Sequence, residues 1–450
     1  MSRQRRRRRR NKRRKLSKKE DYFSRLPDSI IIDEILSRLP TKDAVKTGVL
    51  STRWKHLWTC NPNLSFGLFG IRDDQGYASF VNKTLSLHSS DKVRKFSLCC
   101  FHDIFDGKWL RFAISHYVEY LTLELINRTR RFPYNKDCIR YKIPQDLYAH
   151  SSLTKLRTNF CDHAPKAEVS WTSLKVLYIG EASLTEDTLQ RILAGTPLLE
   201  RLELRECWGV DSIQVSSTSA LKELVITEWL DQRRRHALNT LEISIPGVKS
   251  LELYGNWETK CLLLDAPSLV EAHLNEFSLD KKGDVQEYAA MVKEMLLRVT
   301  FVSKLSVGPM FLRTKSACNS IFLNSASTNL EELYIYLFHD EDGFDEGNLI
   351  EEEDYWSSLE HLQFMKLKVI WISPFGLRKY NDCYDYLLGF AQFMLKKATM
   401  LEKMIIICPC LYGLDPKFLE LLYDEMAREL LTLHRCSPKA EIMIRRPKVD

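Results

Sequence analysis

Short apolar segments with one repeated pattern run along most of the chain. In each copy an aliphatic residue is followed three positions later by a large apolar residue, and two positions after that by a second aliphatic residue, as in Leu199-x-x-Leu202-x-Leu204. Because side chains alternate along a strand, this pattern predicts a short strand with one face in the core. Copies begin at Val93, Val118, Leu174, Leu199, Leu221, Val248, Val302 and Leu330, and weaker copies at Leu153 and Leu269.

The spacing of the copies predicts a repeat architecture. Between residues 153 and 269 successive copies are 21, 25, 22, 27 and 21 residues apart, which is the period of leucine-rich repeats. Stacked repeats bury a continuous core that no single repeat could form. The alternative is an ordinary α/β domain with several similar strands, but ten copies at near-regular spacing argue against it. We therefore predict an α/β fold class with a leucine-rich-repeat solenoid of parallel strands over residues 90–340.

Two features between the strands fit such repeats. The segment 184–193 has apolar residues at helical spacing, with Thr185 as its N-cap and Gly195 at its end, and we expect it on the convex side. Cys207 and Asn256 occupy the turn position that leucine-rich repeats often fill with Cys or Asn. After the copy at Leu269 the spacing widens to about 30 residues, which predicts longer helices or insertions there.

Before the repeats, residues 23–58 predict three short helices. Asp28 is the predicted N-cap of the first helix. That helix ends before Pro40, because a residue preceding proline avoids the helical conformation. Thr41 and Ser51 are the predicted N-caps of the second and third helices.

The helical segment has more apolar side chains than a unit of its size can bury. It is only about 40 residues long, near the limit for independent folding, yet it contains Trp54, Trp58 and about a dozen aliphatic residues. A surplus apolar face on a small helical unit is explained by a partner that covers it. The alternative, which composition alone favours, is that these helices pack on the rest of the same chain.

The order of residues in this segment closely resembles the plant F-box, which we assign to residues 22–66. The matching stretches are Leu26-Pro27-Asp28, Ile35-Leu36, Leu39-Pro40 and Val49-Leu50-Ser51-x-Arg53-Trp54-x-x-Leu57-Trp58. The chain departs from the family where Ile30-Ile31-Ile32 replaces the usual leucines and where Thr52 replaces a basic residue. The resemblance implies docking to a Skp-type adaptor and, through it, to a cullin-based ubiquitin ligase. The expected adaptor-binding residues are Leu26, Pro27, Ile30, Ile31, Ile35, Leu36, Leu39, Pro40, Val45, Val49 and Trp54.

The C-terminal part alternates strands and helices. We predict strands at 367–371, 401–407 and 440–444 and helices at 382–397 and 416–433. The stretches Ala398-x-Met400-Leu401-Glu402-Lys403-Met404 and Ser437-Pro438-x-Ala440-Glu441-Ile442 resemble the FBD module that follows leucine-rich repeats in plant F-box proteins. We assign that module to residues 358–450. Residues 341–357 form an acidic loop before it, since 340–354 holds nine acids and no Lys or Arg.

The net charge of +7 comes from the N-terminus. Residues 1–19 hold 13 Lys and Arg and no acid, whereas the remainder has 53 basic and 59 acidic residues. Residues 1–20 are therefore a disordered basic tail. One interpretation is nuclear import through a receptor that binds Arg5 to Lys15, which places the protein in the nucleus and secondarily in the cytoplasm. The other is a solvated extension without a role. No aromatic residue interrupts the tail, so we expect no specific nucleic-acid recognition.

Several other functions are excluded by the sequence. The longest apolar run, 404–414, contains Pro409 and Gly413 and is too short for a membrane helix, and no apolar core follows the basic start as in a secretory signal. The twelve cysteines contain no CxxC pair, so we expect no metal site. Neither phosphate-binding glycine loops nor GxSxG or HExxH motifs are present. We expect no cofactor and no catalytic site.

Together these features predict a non-catalytic substrate receptor of a ubiquitin ligase complex. The repeats hold an unknown target protein through side chains that point outward from the strands. The candidate target-binding residues are Tyr178, Glu203, Arg205, Glu252, Tyr254, His273, Tyr334 and Tyr336. Two alternatives stay open: a nuclear polyanion-binding protein that acts through residues 1–19, and a repeat scaffold without a ligase role.

Overall fold

A computed structural model describes most of the chain. It covers residues 25–68, 73–128, 139–227, 240–255, 260–275, 285–308, 329–338, 363–375, 380–407 and 416–445. The predicted basic tail and acidic loop lie outside these residues. The chain divides into two compact units, Met1–Arg128 and Thr129–Asp450. Within the described part, no helix has both the length and the apolar character needed to cross a membrane.

Three short helices open the first unit, as predicted. Each starts regularly and changes pitch before its end, which is common in helices this short. Helix α1 runs through Asp28–Ile30, Ile31–Ile35 and Leu36–Arg38, α2 through Thr41–Lys46 and Thr47–Val49, and α3 through Trp54–Leu57 and Trp58–Cys60.

The start of α1 differs from the prediction, whereas its end agrees. Pro27 takes the N-cap position, where its carbonyl accepts the Ile31 N–H at 3.1 Å. The prediction that Asp28 is the N-cap is therefore wrong; its carboxylate instead accepts a hydrogen bond from Arg53 Nε at 2.7 Å. At the other end Leu39 is extended, with ψ 147°, as expected before a proline.

The prediction that Thr41 is the N-cap of α2 is wrong, whereas Ser51 does bond to the start of α3. Thr41 lies inside α2, and its hydroxyl accepts the Ser65 N–H at 2.7 Å rather than capping the helix. Ser51 Oγ does accept the Trp54 N–H, at a long 3.4 Å, so it satisfies a donor at the start of α3. Thr41 thus serves a tertiary contact and Ser51 a local one.

A small core joins the three helices. Its fully buried members are Ile31, Leu36, Ala44, Trp54 and Trp58. Half-buried apolar residues surround them: Leu26, Ile32, Ile35, Leu39, Val45 and Leu57. The helices therefore bury one shared apolar centre and leave other apolar positions at the surface.

The first unit continues directly into parallel strands. Its further elements are β1 (Asn63–Phe66), α4 (Asp74–Leu87), β2 (Lys95–Phe101), α5 (Gly107–Ser115) and β3 (Tyr120–Ile126). Leu64 of β1 pairs with Phe96, and Phe96 with Leu121, so the apolar positions of the repeat pattern align. The prediction began the repeats at residue 90 and missed β1, which precedes them.

The second unit contains a long parallel sheet. The strand pair β4 (Tyr141–Lys142) and β6 (Cys161–Asp162) and helix α6 (Gln145–Tyr148) lie near its start. Within the described residues the main sheet has eleven strands, in this order: β5 (Lys155–Asn159), β7 (Val176–Gly180), β8 (Arg201–Arg205), β10 (Glu223–Thr227), β12 (Ser250–Tyr254), β14 (Glu271–Asn275), β15 (Lys304–Val307), β16 (Glu332–Phe338), β17 (Val369–Phe375), β18 (Lys403–Ile407) and β19 (Glu441–Arg445).

The pairing register confirms the predicted repeats. Leu177, Leu202, Leu224 and Leu251 lie side by side on successive strands, and all four are fully buried. Each is the central apolar residue of its copy in the sequence pattern. The α/β fold class with stacked parallel strands is therefore confirmed.

The connections between strands take two forms. Helix α7 (Glu186–Ala194) follows β7 as predicted, and its N-cap Thr185 accepts the Thr188 N–H at 3.1 Å. In the next three repeats a short strand replaces the helix: β9 (Ser212–Gln214), β11 (Thr240–Ser244) and β13 (Lys260–Asp265) form a second parallel sheet. The choice does not follow repeat length, since α7 lies in a repeat of 25 residues and β11 in one of 27.

Cys207 confirms the predicted turn position. Its buried thiol lies 3.4 Å from the carbonyl oxygens of Ile179 and Arg205. Cys161 is buried at the equivalent position after β5, with Sγ 3.4 Å from the Asn159 carbonyl. The other predicted turn residue, Asn256, lies outside the described residues.

The C-terminal elements follow the predicted order. Helices α8 (Val285–Arg298), α9 (Tyr380–Lys397) and α10 (Pro416–Thr432) lie after β14, β17 and β18. Strand β17 pairs in parallel with β16, with Ile370 beside Leu333, so the same sheet continues into residues 363–445. The boundary at 358 and the resemblance to an FBD module stay predictions.

Candidate protein-interaction surfaces

Apolar side chains are exposed on the helices of the first unit. Val49 and Leu50 at the end of α2 are 88% and 65% exposed, and Ile30 in α1 is 42% exposed. Pro27 and Pro40 are exposed as well. We call Ile30, Val49 and Leu50 the apolar ridge. Two of its members were predicted as adaptor-binding residues; Leu50 was quoted as part of the matching motif but left out of the candidates.

Arg53 connects the two segments that carry the apolar ridge. Its Nε and Nη2 lie 2.7 and 2.5 Å from Asp28 Oδ1, and Nη2 also donates to the Leu26 carbonyl. These contacts hold the start of α1 against the segment between α2 and α3. The sequence motif contains Arg53, but only the folded structure reveals this partner.

The remaining adaptor candidates are wholly or partly covered. Ile31 and Leu36 have no exposed surface and Trp54 is 6% exposed, so these three belong to the core of the helices. In this conformation their side chains pack beneath the surface and cannot contact an adaptor directly. Half-buried candidates present part of a side chain: Leu26, Ile35, Leu39 and Val45.

Side chains just after α3 fasten the helices to β1. Asn61 is buried, and its Nδ2 donates to the Leu36 carbonyl at 3.0 Å. Asn63 Nδ2 donates to the Ser37 carbonyl at 3.0 Å. Both carbonyls belong to the last turn of α1; the Leu36 carbonyl also accepts the Leu39 N–H at 3.1 Å, and the Asn61 amide is a second donor to it. The amides therefore cap α1 from a distance of about two dozen residues in sequence.

His88 adds a further contact to this junction. Its Nε2 lies 3.0 Å from the Asn61 carbonyl oxygen, and its ring packs edge-on against Phe112. Burial lowers the pKa of His88, which keeps the ring neutral near pH 7. The end of the helical segment is thus bound to α4 and α5 as well as to β1.

In the second unit the predicted target-binding residues lie on one face of the main sheet. The register places Tyr178, Glu203, Glu252, His273 and Tyr334 at equivalent positions on their strands. The other three candidates follow two residues later, which is the next position on the same face: Arg205, Tyr254 and Tyr336. Their role in binding a target stays a prediction.

Tyr178 differs from the other candidates. Its side chain is only 3% exposed, because neighbouring side chains cover it; the Arg157 guanidinium lies 3.5 Å from the ring centroid. By contrast Tyr254 is 41% exposed and Tyr336 is 38% exposed. An outward position is therefore not sufficient for access, and Tyr178 is closed to a target in this conformation.

Charged residues at the start of the strands form ion pairs across the sheet. Lys304 Nζ lies 3.2 Å from Glu271 and 3.7 Å from Glu332, and the Tyr334 hydroxyl donates to Glu332 at 2.8 Å. Burial and the bond to Glu332 raise the pKa of Tyr334 to about 12. The hydrogen bond to Glu271 raises the pKa of Lys304. Both groups therefore remain protonated at neutral pH.

Trp371 lies on the same face but was not among the predicted target-binding residues. It pairs in register with Tyr334, and the two rings stack with centroids 5.8 Å apart and planes at 12°. The Arg445 guanidinium lies 5.1 Å from the Trp371 ring centroid. In the sequence Trp371 lies within the apolar run 369–372, and its outward direction follows only from the pairing of β16 with β17.

The thiols of Cys207 and Cys261 and the imidazole of His163 are buried. Burial raises the pKa of Cys207 and of Cys261 to about 12, so both thiols stay protonated. Burial lowers the pKa of His163 to about 4. Among the described residues, no three His, Cys, Asp or Glu side chains form a group suited to a metal ion.

Two family models match this sequence. The family described as "At1g61320/AtMIF1, LRR domain" matches residues 83–410, and the F-box domain matches residues 23–65. The first of these spans both sides of the predicted boundary at 358.

Curated proteins of Arabidopsis thaliana are similar to the chain. F-box/LRR-repeat protein At3g03360 is 34% identical over 67% of this chain, and the match spans 62% of that protein's length. Putative F-box/LRR-repeat protein At3g18150 is 28% identical over 86% of both chains. F-box/LRR-repeat protein 25 is 31% identical over 55% of this chain and 91% of its own length. Since the repeat model alone matches well over half of the residues, the chain belongs to the plant F-box/leucine-rich-repeat proteins.

Proposed function

We propose that this protein is the substrate-recognition subunit of a Skp–cullin–F-box ubiquitin ligase. The helices of the first unit bind a Skp-type adaptor, which connects them to a cullin. The outward face of the repeats holds a target protein, which is then ubiquitinated and degraded. The observation that carries the proposal is the apolar ridge, because the helices expose it although they also form a closed core.

The exposure of the ridge is unfavourable in a free protein. Val49 and Leu50 are adjacent and mostly exposed, and Ile30 adds a third aliphatic side chain. Burying apolar surface contributes about 25 cal/mol per Å², so covering these residues would favour a complex. Adjacent exposed apolar residues such as Val49 and Leu50 are typical of protein interfaces.

In this proposal the chain contributes position rather than bond chemistry. Holding a target and a ubiquitin-loaded enzyme in one assembly raises their effective concentration. The chain needs no nucleophile for this role.

Co-precipitation with a purified Skp-type adaptor tests the proposal. The double variant Val49→Asp, Leu50→Asp places charges on residues that are already exposed, so the fold should be preserved. We expect adaptor recovery to fall more than about tenfold, since a buried charge without a partner costs several kcal/mol. Leu198→Asp, at a leucine that is 50% exposed in the second unit, is the matched control. Unchanged recovery in the double variant would contradict the proposal.

The basic tail carries a separate proposal about location. We propose that Arg5 to Lys15 binds a nuclear import receptor, supported by the 13 Lys and Arg in residues 1–19. A fluorescent protein fused to residues 1–20 should accumulate in nuclei. A fusion with the run Arg5 to Arg10 changed to alanine should not, and equal distribution of both fusions would rule the proposal out.

A further inference from the structure

One row of equivalent strand positions crosses seven strands of the second unit, from β12 to β19; two of its members, Ser306 and Ile405, are buried and the other five are half-buried. Cross-strand pairing places these residues next to one another in the order Glu252, His273, Ser306, Tyr334, Trp371, Ile405 and Met443. We call them the recognition row. With strands about 4.8 Å apart, its six steps span about 29 Å. That is the length of an extended segment of about nine residues.

One end of the recognition row is negatively charged. Glu252 lies on the row itself, and Glu271 and Glu332 flank it at the start of their strands. Glu271 and Glu332 share the cation Lys304, and His273 Nε2 on the row lies 3.9 Å from Glu271 Oε2. Among the described residues, no ion pair involves Glu252, which is half-buried. This end therefore has three carboxylates, one lysine and one histidine, and the Glu252 carboxylate attracts a further cation.

The other end is apolar and aromatic. Trp371 stacks on Tyr334, and beyond it Ile405 is 3% exposed and forms a closed apolar floor, with Met443 beside it. Tyr336, two residues after Tyr334, is 38% exposed on the same face. A sheet face exposed to water only would carry polar side chains at these positions. This end is therefore suited to apolar side chains of a partner.

Building on the proposed function, we infer that the recognition row binds an extended segment of the target that has a lysine or arginine at one end and apolar side chains at the other. The cation pairs with Glu252, and the exposed ring of Tyr254 on the same strand offers it an aromatic face. The apolar side chains pack on the half-buried Trp371 and Met443. An acidic segment or a nucleic-acid phosphate would meet the Glu252 carboxylate, which has no ion pair among the described residues, and be repelled.

Selection from a random nine-residue peptide library on the immobilised full-length chain tests the inference. We expect the selected peptides to combine Lys or Arg with Trp, Phe, Leu or Ile several positions away. One such synthetic peptide is then titrated against variants by fluorescence anisotropy. Because Glu252→Gln removes a charge-assisted contact but keeps the side-chain shape, its affinity should fall about tenfold.

A matched control separates this effect from a general change in charge. Glu242→Gln removes an exposed carboxylate from β11, in the second sheet, and should leave the affinity unchanged. Tyr254→Ala, which alters the aromatic side of the same site, should weaken binding of the peptide as well. Raising the salt concentration should reduce affinity for the wild type more than for Glu252→Gln.

Two results would overturn the inference: selected peptides without enrichment of basic residues, or basic peptides that bind Glu252→Gln as tightly as the wild type. Adaptor co-precipitation is measured with the same preparations. Loss of the peptide preference with normal adaptor binding removes only this inference. Failure of the adaptor to bind, with the peptide preference intact, removes the proposed ligase role and leaves a repeat protein with the stated specificity.

Discussion

Arg53 Nε donates to Asp28 Oδ1 at 2.7 Å and so joins the start of α3 to the start of α1, although the two residues are 25 positions apart in sequence. The same guanidinium reaches the carbonyl of Leu26, just before α1. Arg53 therefore sets where the start of α1 lies relative to the exposed Val49 and Leu50. It is a positioning residue for the apolar ridge rather than a part of it.

Arg53→Ala should weaken adaptor binding while leaving the chain folded. Both partners are partly exposed, so the ion pair itself contributes only about 0.2–1 kcal/mol to stability. Loss of the defined geometry should reduce adaptor affinity about five- to tenfold, as a missing charge-assisted hydrogen bond typically does. Isothermal titration with the adaptor measures it. Arg38→Ala, which breaks the exposed pair with Glu34, is the control and should bind normally; equal affinities for both variants would contradict the role of Arg53.

Asn61→Ala should destabilise the first unit. Asn61 is buried, its amide caps the Leu36 carbonyl, and its Oδ1 accepts the Asn63 N–H at 3.0 Å. Removing it deletes the second donor to the Leu36 carbonyl, which keeps the Leu39 N–H, and leaves the half-buried Asn63 N–H without this acceptor, at a cost of about 1–3 kcal/mol. Urea unfolding followed by circular dichroism gives the free energy of unfolding. Ser86→Ala removes an exposed hydrogen bond to Lys83 and should change it by less than about 0.5 kcal/mol; a similar small change for Asn61→Ala would refute the capping role.

Stability of the second unit should depend on pH through His163. The ring is buried, with Thr158 Oγ1 2.9 Å from Nε2, and burial lowers the pKa from 6.5 to about 4. Between these values the unfolded chain binds a proton that the folded chain does not. The contribution is therefore fully present above pH 6.5 and is lost as the pH falls toward 4. Between pH 8 and 5.5 the free energy of unfolding should drop by about 1.4 kcal/mol from this residue.

The variant His163→Gln isolates that contribution, because glutamine does not titrate. Whatever its free energy of unfolding at pH 8, the decrease between pH 8 and 5.5 should be smaller than that of the wild type by about 1.4 kcal/mol. His56→Gln, at an exposed position, should retain the wild-type decrease. Identical decreases in the wild type and His163→Gln would show that His163 does not titrate as described.

Gly195→Ala should be strongly destabilising. A Cβ at this position would lie 2.1 Å from the Val169 carbonyl oxygen, far inside van der Waals contact. The end of α7 would have to move away from its neighbour, which costs about 1–3 kcal/mol or more for a rigid backbone contact. Thermal unfolding measures the change. Gly67→Ala has no atom within 4 Å of the new Cβ and should be nearly neutral; equal unfolding temperatures for the two variants would contradict the close approach.

The repeated strands could be predicted because the spacing of their apolar residues indicates both that a strand forms and which of its faces is buried. Leu202 and Leu204 alternate with Glu203, and this alternation needs no knowledge of neighbouring strands. Strand β1 was not predicted, because its segment lacks the first aliphatic residue of the pattern. In the register of β1 with β2, Asn61 stands where β2 has the aliphatic Val93. Because a buried polar residue that bonds to α1 occupies this position, the hydrophobic pattern does not identify the first strand.

The interaction surfaces were only partly predictable because access depends on neighbours that are distant in sequence. Tyr178 points outward like Tyr254, but Arg157 covers its ring. Trp371 joins Tyr334 only through the pairing of β16 with β17. The motif that contains Arg53 likewise does not specify its contact with Asp28.

The asparagines after α3 have a consequence for protein engineering. Because Asn61 and Asn63 bond the last turn of α1 while belonging to the entry of β1, the helices cannot be cut from this chain at residue 60 without losing the side-chain donors to the Leu36 and Ser37 carbonyls. A chimera that borrows this F-box should carry the chain through Phe66. Conversely, a foreign F-box spliced in before Asn61 must offer matching carbonyl groups at the end of its first helix, or the graft will leave both amides unsatisfied.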